Sequence, residues 1–212
     1  MQKFETAAPY LPAGKSLAEM RSAVQWCRGC DLYAHASRAV FGEGAARSPV
    51  VFIGEQPGND EDLSGHPFVG PAGRLLDRAL EEAGISRSAV YITNAVKHFK
   101  FEERGKRRIH QKPTAGEVAA CRPWLEAEMI AIKPAVLVCL GATAAQSVFG
   151  AQYRVTHERG RFVEHAWSPK ATSTVHPSAI LRAPGEEQRH AEYQRFLDDL
   201  KKVRTAMKEQ SA

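Results

Sequence analysis

The 212-residue chain contains no apolar run near the ~18 residues that a membrane-spanning helix requires, so a protein of that kind is excluded. Its first twenty residues carry Glu5, Lys15 and Glu19 and lack a continuous apolar stretch, so no secretory signal is expected. Glycine and proline, 16 and 12 residues, are too sparse for a collagen-like or low-complexity chain. Four cysteines are few for a disulfide frame and, in a cytoplasmic protein, point to metal or redox chemistry instead. The dinucleotide fingerprint G-x-G-x-x-G is missing, and there is no internal repeat. These absences lead us to expect a cytoplasmic protein that does not enter membranes. One domain spans 1–212, with residues 1–14 an arm and 205–212 a frayed tail.

Net charge is +5, and its distribution is uneven. Lys97, Lys100, Arg104, Lys106, Arg107, Arg108 and Lys112 face only Glu102 and Glu103 across one stretch, and the rest of the chain balances. A bare charge run is most often a solvated loop, yet a positive excess gathered in one place also suits a polyanion.

Short apolar runs alternate with helical patterns. Val50–Gly54, Val90–Asn94, 135–140, 161–165 and 171–175 read as strands. Leu17 to Trp26, Leu75 to Ala83, Ala144 to Val148 and Glu186 to Lys208 read as helices. Thr114 and Glu117 form a capping box that opens a further helix towards Ile132, which Pro123 should kink or interrupt. The alternation predicts a three-layer α/β/α fold around a mainly parallel sheet of four to five strands, with its sites in loops beyond the strand carboxyl ends.

Cys27-Arg28-Gly29-Cys30 brings two thiols within reach of one metal centre, and alone it fits zinc, iron–sulfur or a redox pair. Cys139 lies inside an apolar strand and is discarded as a ligand. Cys121 remains, and a fourth ligand is undetermined.

The loops after the strands hold Gly54-Glu55-x-Pro57-Gly58, Gly65-x-Pro67-Phe68-Val69-Gly70, Asn94-x-x-Lys97, Cys121-x-Pro123 and His176-Pro177-Ser178. In this order the motifs resemble the family 4 uracil-DNA glycosylases over about residues 27–200. Gln56 in the first motif and the loop Gly105-Lys106-Arg107-Arg108-Ile109-His110 resemble the UdgX branch, whose members excise uracil and stay bonded to the sugar through the loop histidine. The resemblance implies a structural four-iron, four-sulfur cluster on Cys27, Cys30, His98 and Cys121. Imidazole can replace thiolate on a cluster iron, and a Cys₃His zinc site is the alternative.

It further implies uracil-containing DNA, single-stranded, as the partner of a monomer that releases uracil. Gly54, Gln56, Phe68 and Asn94 would line the base pocket, with Phe68 stacking and Asn94 reading the base edge. His176 would donate to the departing O2. Ser178, Leu181, Arg182, Lys106, Arg107 and Arg108 would contact DNA, Leu181 as a wedge. His110 would attack the sugar C1′, kept neutral by its three cationic neighbours, with Glu55 orienting the ring and accepting its proton. A glycosylase that turns over and a non-catalytic uracil-DNA sensor are the competing readings.

Overall fold

The computed structural model describes residues 6–14 and 16–209. The first five residues of the expected arm and the last three of the expected tail lie outside these. α1 (Leu17–Ala23) opens on a capping box between Ser16 and Glu19 and delivers Cys27 through one 3-10 turn. β1 (Val50–Gly54) is followed by α2 (Asn59–Ser64), α3 (Pro71–Ala83) and β2 (Val90–Asn94). Two short strands come next, β3 (Phe101–Arg104) and β4 (Arg107–His110). α4 (Ala115–Ile132) leads into β5 (Val136–Leu140), α5 (Ala142–Phe149) and α6 (Val155–Glu158). β6 (Val163–His165), β7 (Ser168–Thr174), α7 (Pro177–Leu181) and α8 (Glu186–Glu209) complete the order.

The central sheet has five strands in the order β2-β1-β5-β7-β6, and only β6 runs antiparallel. Side chains alternate across it because successive residues of a strand face opposite sides. Val50, Phe52, Val136 and Val138 pack with α3 and α8 on one face. Val51, Ile53, Leu137 and Cys139 pack with α4 and α5 on the other. The result is the expected three-layer α/β/α sandwich. A third apolar cluster joins Ala7, Met20, Val24, Cys27, Cys30, Cys121 and Trp124, so the N-terminal segment is sealed against α4.

Several local expectations change. Ala7, in the described part of the expected arm, is buried against the body, and its N–H donates to Ala120 O at 2.8 Å. Residues 205–209 belong to α8 and are not frayed. Pro123 does not interrupt α4, which runs unbroken for 18 residues. The lost donor costs that turn one hydrogen bond, but Trp124, Leu125, Glu128 and Met129 beyond it are all buried, and their packing carries the helix on. The basic stretch is not a loop. β3 and β4 form an antiparallel hairpin pairing Phe101 with His110 and Arg104 with Arg107. Its two-residue turn has Gly105 first, at φ +60°, the preference of a tight hairpin.

From β1 the chain moves outward to β2, then crosses back to β5 on the other side of β1. The loops after β1 and β5 therefore diverge and leave a crevice at the strand carboxyl ends, the place where open α/β sheets bind ligands.

Candidate active site

Glu55 follows β1 directly and stands in that crevice. Its Oε1 lies 3.2 Å from His110 Nε2 at the end of β4. Its Oε2 accepts a short hydrogen bond from Thr143 Oγ1, in the first turn of α5. Burial pushes the Glu55 pKa up, but the hydrogen bonds from His110 and Thr143, with the charge influence of His110 and His176, outweigh it and hold the carboxyl below its usual range.

His176 follows β7. Ser178 N–H donates to His176 Nδ1 at 3.2 Å, and Ser178 Oγ lies 2.8 Å from the same nitrogen. A nitrogen that accepts from a backbone amide carries no proton, so Nε2 bears the ring hydrogen and is the donor. Burial, against the influence of Glu55, pulls the His176 pKa down to about 4, which keeps the imidazole neutral. Ser178, expected on a DNA phosphate, serves here to fix this tautomer. Gly141 lets the two strand ends approach, since a Cβ there would meet His176 Cβ at 2.9 Å and its φ is +85°.

The Phe68 ring centroid lies 5.9 Å from that of His176. Phe68 holds φ +58°, a left-handed conformation that bulky residues rarely adopt and that marks functional sites. Its carbonyl tucks against α3 only because residue 73 is glycine, where a Cβ would lie 1.6 Å from Phe68 O. Glu61 braces this turn, with Oε2 accepting from Gly58 N–H and Oε1 from Gly70 N–H, each at 2.9 Å. One carboxylate thus caps both α2 and α3. Asn94, at the end of β2, is 2% exposed, and its Oδ1 is buried without a partner. A Cβ on Gly54 would meet Asn94 Oδ1 at 2.3 Å and Phe68 Cζ at 2.7 Å, so glycine there lets both side chains crowd the crevice floor.

Asn94 is held from behind by a fully buried ion pair. Lys97 Nζ donates to Glu128 Oε2 at 2.5 Å, to Thr93 Oγ1 at 2.7 Å and to the Asn94 carbonyl at 2.8 Å. Tyr91 and Gly42 complete the acceptor side of Glu128.

Two expected site residues have other partners. Gln56 does not offer its amide to the crevice. Nε2 donates to Lys100 O at 3.2 Å and Gln111 O at 2.9 Å, and Oε1 accepts from Lys100 N–H at 3.0 Å. It clamps the base of the hairpin that carries His110. Arg108 pairs with Asp62 at 2.6 Å, with Asn59 and Ser37 beside it and the Phe99 and Phe101 rings beneath. It anchors the hairpin to α2 with its charge matched by Asp62. Lys106 and Arg107 at the hairpin tip are exposed and carry no ion pair among the described residues. At α7, Ile180 is core while Leu181 and Arg182 are exposed.

Cys27, Cys30 and Cys121 are free, buried and share the third apolar cluster, and the charges of Cys27 and Cys30 bear on Cys121. Burial pushes Cys30 up to about 11 and Cys121 up to about 12, so a metal binding there would have to displace their protons. Cys121 Sγ also accepts from Lys97 N–H at 3.3 Å, and His98, the next residue, is buried with burial drawing its pKa down to about 4. In the same cluster the Trp124 Nε1 hydrogen is buried without an acceptor. Three thiols and an unsatisfied donor in one apolar cluster are the soft set that an iron–sulfur cluster takes, while the charge that bears on His98 is that of Asp62. Among the described residues no three Cys, His, Asp or Glu side chains form a group that would hold a single ion. Cys139 is buried in β5, within the α4–α5 face of the core and outside the cluster that holds the other three thiols.

Sequence reasoning missed Thr143, Glu61 and the Lys97–Glu128 pair. Glu61 sits three residues after a loop glycine at a helix start, a readable capping position. Thr143 and Glu128 carry no local signal, because Glu55 lies 88 residues from Thr143 and the partners of Glu128 lie 31 to 86 residues from it along the chain.

A doubly wound sheet with a polar crevice at its switch point defines a class, and comparison gives the family. Residues 41–201 match the uracil DNA glycosylase superfamily, and the chain belongs to it. Among its relatives, a type-4 uracil-DNA glycosylase of Thermotoga maritima is 38% identical over 188 residues, covering 88% of this chain and 92% of its own. A type-4 uracil-DNA glycosylase of Archaeoglobus fulgidus is 37% identical over 196 residues, covering 89% and 92%. A type-5 uracil-DNA glycosylase of Pyrobaculum aerophilum is 28% identical over 181 residues, covering 77% and 76%. No helix among the described residues is long and apolar enough to cross a membrane.

Proposed function

We propose that this chain excises uracil from DNA, single-stranded by preference, and captures itself on the product in the manner of the UdgX branch. The observation that carries the reading is the pairing of His110 with Glu55 at 3.2 Å, in a crevice that also holds His176, Phe68 and Asn94. A flipped uracil stacks on Phe68, and the unpartnered Asn94 Oδ1 accepts its N3–H while Nδ2 donates to O4. Cytosine presents the opposite pattern and leaves both groups unmatched.

As the glycosidic bond breaks, the His176 Nε2–H donates to uracil O2, where negative charge develops. The Glu55 carboxylate stabilises the sugar cation. One nitrogen of the His110 ring then attacks C1′, and Glu55 takes the proton from the other. A neutral alkylated imidazole is a poor leaving group, so the adduct persists. Lys106, Arg107 and Arg182 meet phosphates, and Leu181 fills the gap left by the base. Cys27, Cys30, His98 and Cys121 would hold an iron–sulfur cluster whose role is structural, tying the N-terminal segment to α4. The whole chain acts as one domain and as a monomer.

The names of the relatives favour a second reading, a type-4 enzyme that turns over with His110 on a phosphate. A denaturing gel separates the two. Protein mixed with a labelled uracil-containing single strand and boiled in detergent should give a band at the combined mass. Free abasic product without that band establishes turnover, and unchanged strand establishes a non-catalytic binder. His110→Ala should lose the band and release uracil over many turnovers; loss of all excision would place His110 in the first bond cleavage instead.

A further inference from the structure

We propose that Thr143 is a positioning residue for this reaction: its hydroxyl, donated to Glu55 Oε2, fixes the carboxylate so that the other oxygen, Oε1, meets the His110 ring. This rests on the function proposed for Glu55.

The two carboxylate oxygens have different partners from different elements. Oε2 belongs to Thr143 on α5, behind β5, and Oε1 belongs to His110 on the hairpin. A glutamate held at one end only turns freely about its last torsion, which is broad and two-fold. A second anchor removes that freedom before the sugar cation forms. Threonine suits the task because its branched Cβ restricts χ1 and holds the hydroxyl still. The residue is buried, and among the described residues its hydroxyl makes no other hydrogen bond. It stands in the first turn of α5, whose free amides favour an anion beside them.

The bond also has a chemical sense. A carboxylate only accepts, so the Thr143 hydroxyl must donate, and a donated hydrogen bond opposes protonation of Glu55. The other groups bearing on Glu55 are His110 from β4 and His176 from the loop after β7. Neither replaces Thr143, because His110 moves with its hairpin and the His176 proton is directed to the base.

The test measures single-turnover uracil release against pH on a uracil-containing single strand. Thr143→Val should slow release about ten- to hundredfold, the loss of one hydrogen bond to a charged group. It should also move the acid limb of the profile to higher pH, because Glu55 then protonates more easily. Thr143→Ser should restore most of the rate and return the limb. In a Glu55→Gln background, Thr143→Val should cost little more. An unmoved limb, a serine variant as slow as valine, or an equal loss in the Glu55→Gln background overturns the assignment. Thr143→Ala carries the same comparison if a thermal melt shows the valine variant unfolded. Because the readout is uracil release, a parent protein that excises uracil without forming an adduct overturns self-capture and leaves the Thr143 result standing.

Discussion

His176 and His110 open on the same crevice but are held by different parts of the molecule. His176 is rooted at the carboxyl end of β7, half-buried, with one nitrogen occupied by Ser178 and its tautomer fixed. His110 is 51% exposed at the end of a hairpin, steadied by Glu55 and by clamps at the hairpin base and flank. The sheet-borne half of the site is suited to stabilising charge at a fixed point, which needs donors that do not reorganise. On the function proposed above, the hairpin-borne half delivers a nucleophile, which needs access to the sugar.

The comparison can be broken from either side. The largest effect is expected at the support of the sheet-borne half. Glu128→Ala leaves Lys97 charged and buried without its partner, and should cost about 3–5 kcal/mol in denaturant unfolding. His176→Ala should slow uracil release roughly 10²- to 10³-fold, about 2.7–4 kcal/mol, in single-turnover assays, with the hairpin untouched. Gln56→Ala releases the hairpin base. It should slow adduct formation about tenfold and leave uracil release nearly at the parent rate, as gel and release assays run side by side will tell. A Gln56 variant that loses excision instead would return the residue to the base pocket.

The smallest effect is one of pH. A free histidine titrates near 6.5. His176 is depressed to about 4, so its neutral form persists as pH falls through 6.5 and is lost only on approach to 4. The His176-dependent part of uracil release should therefore stay level between about pH 7 and 5.5 when the rates of parent and His176→Ala are compared.

Much of the frame was legible because it rests on local rules. Short continuous apolar runs marked β1, β2 and β5, and the Thr114–Glu117 pair marked the start of α4. The hairpin was hidden because β3 and β4 pair only with each other and stay largely exposed, so their residues follow no apolar alternation. Its one signal was the Gly105-Lys106 pair between two short runs. Motif order placed Glu55, Phe68, Asn94 and His176 in neighbouring loops, and the structure brings them into one crevice. Composition could not say that Gln56 and Arg108 are engaged in holding the hairpin, since both facts depend on partners 44 and 46 residues distant. The same holds for Pro123, tolerated because buried neighbours outweigh a missing donor.

The backbone ladder of β3 and β4 closes on itself and shares no strand pairing with the central sheet. An ancestor could gain or shed these ten residues without disturbing the register of any sheet strand. On the function proposed here, permanent attachment to damaged DNA rests on a module separable from the excision scaffold, one that an engineer could move as a single cassette together with the glutamine and aspartate that receive it.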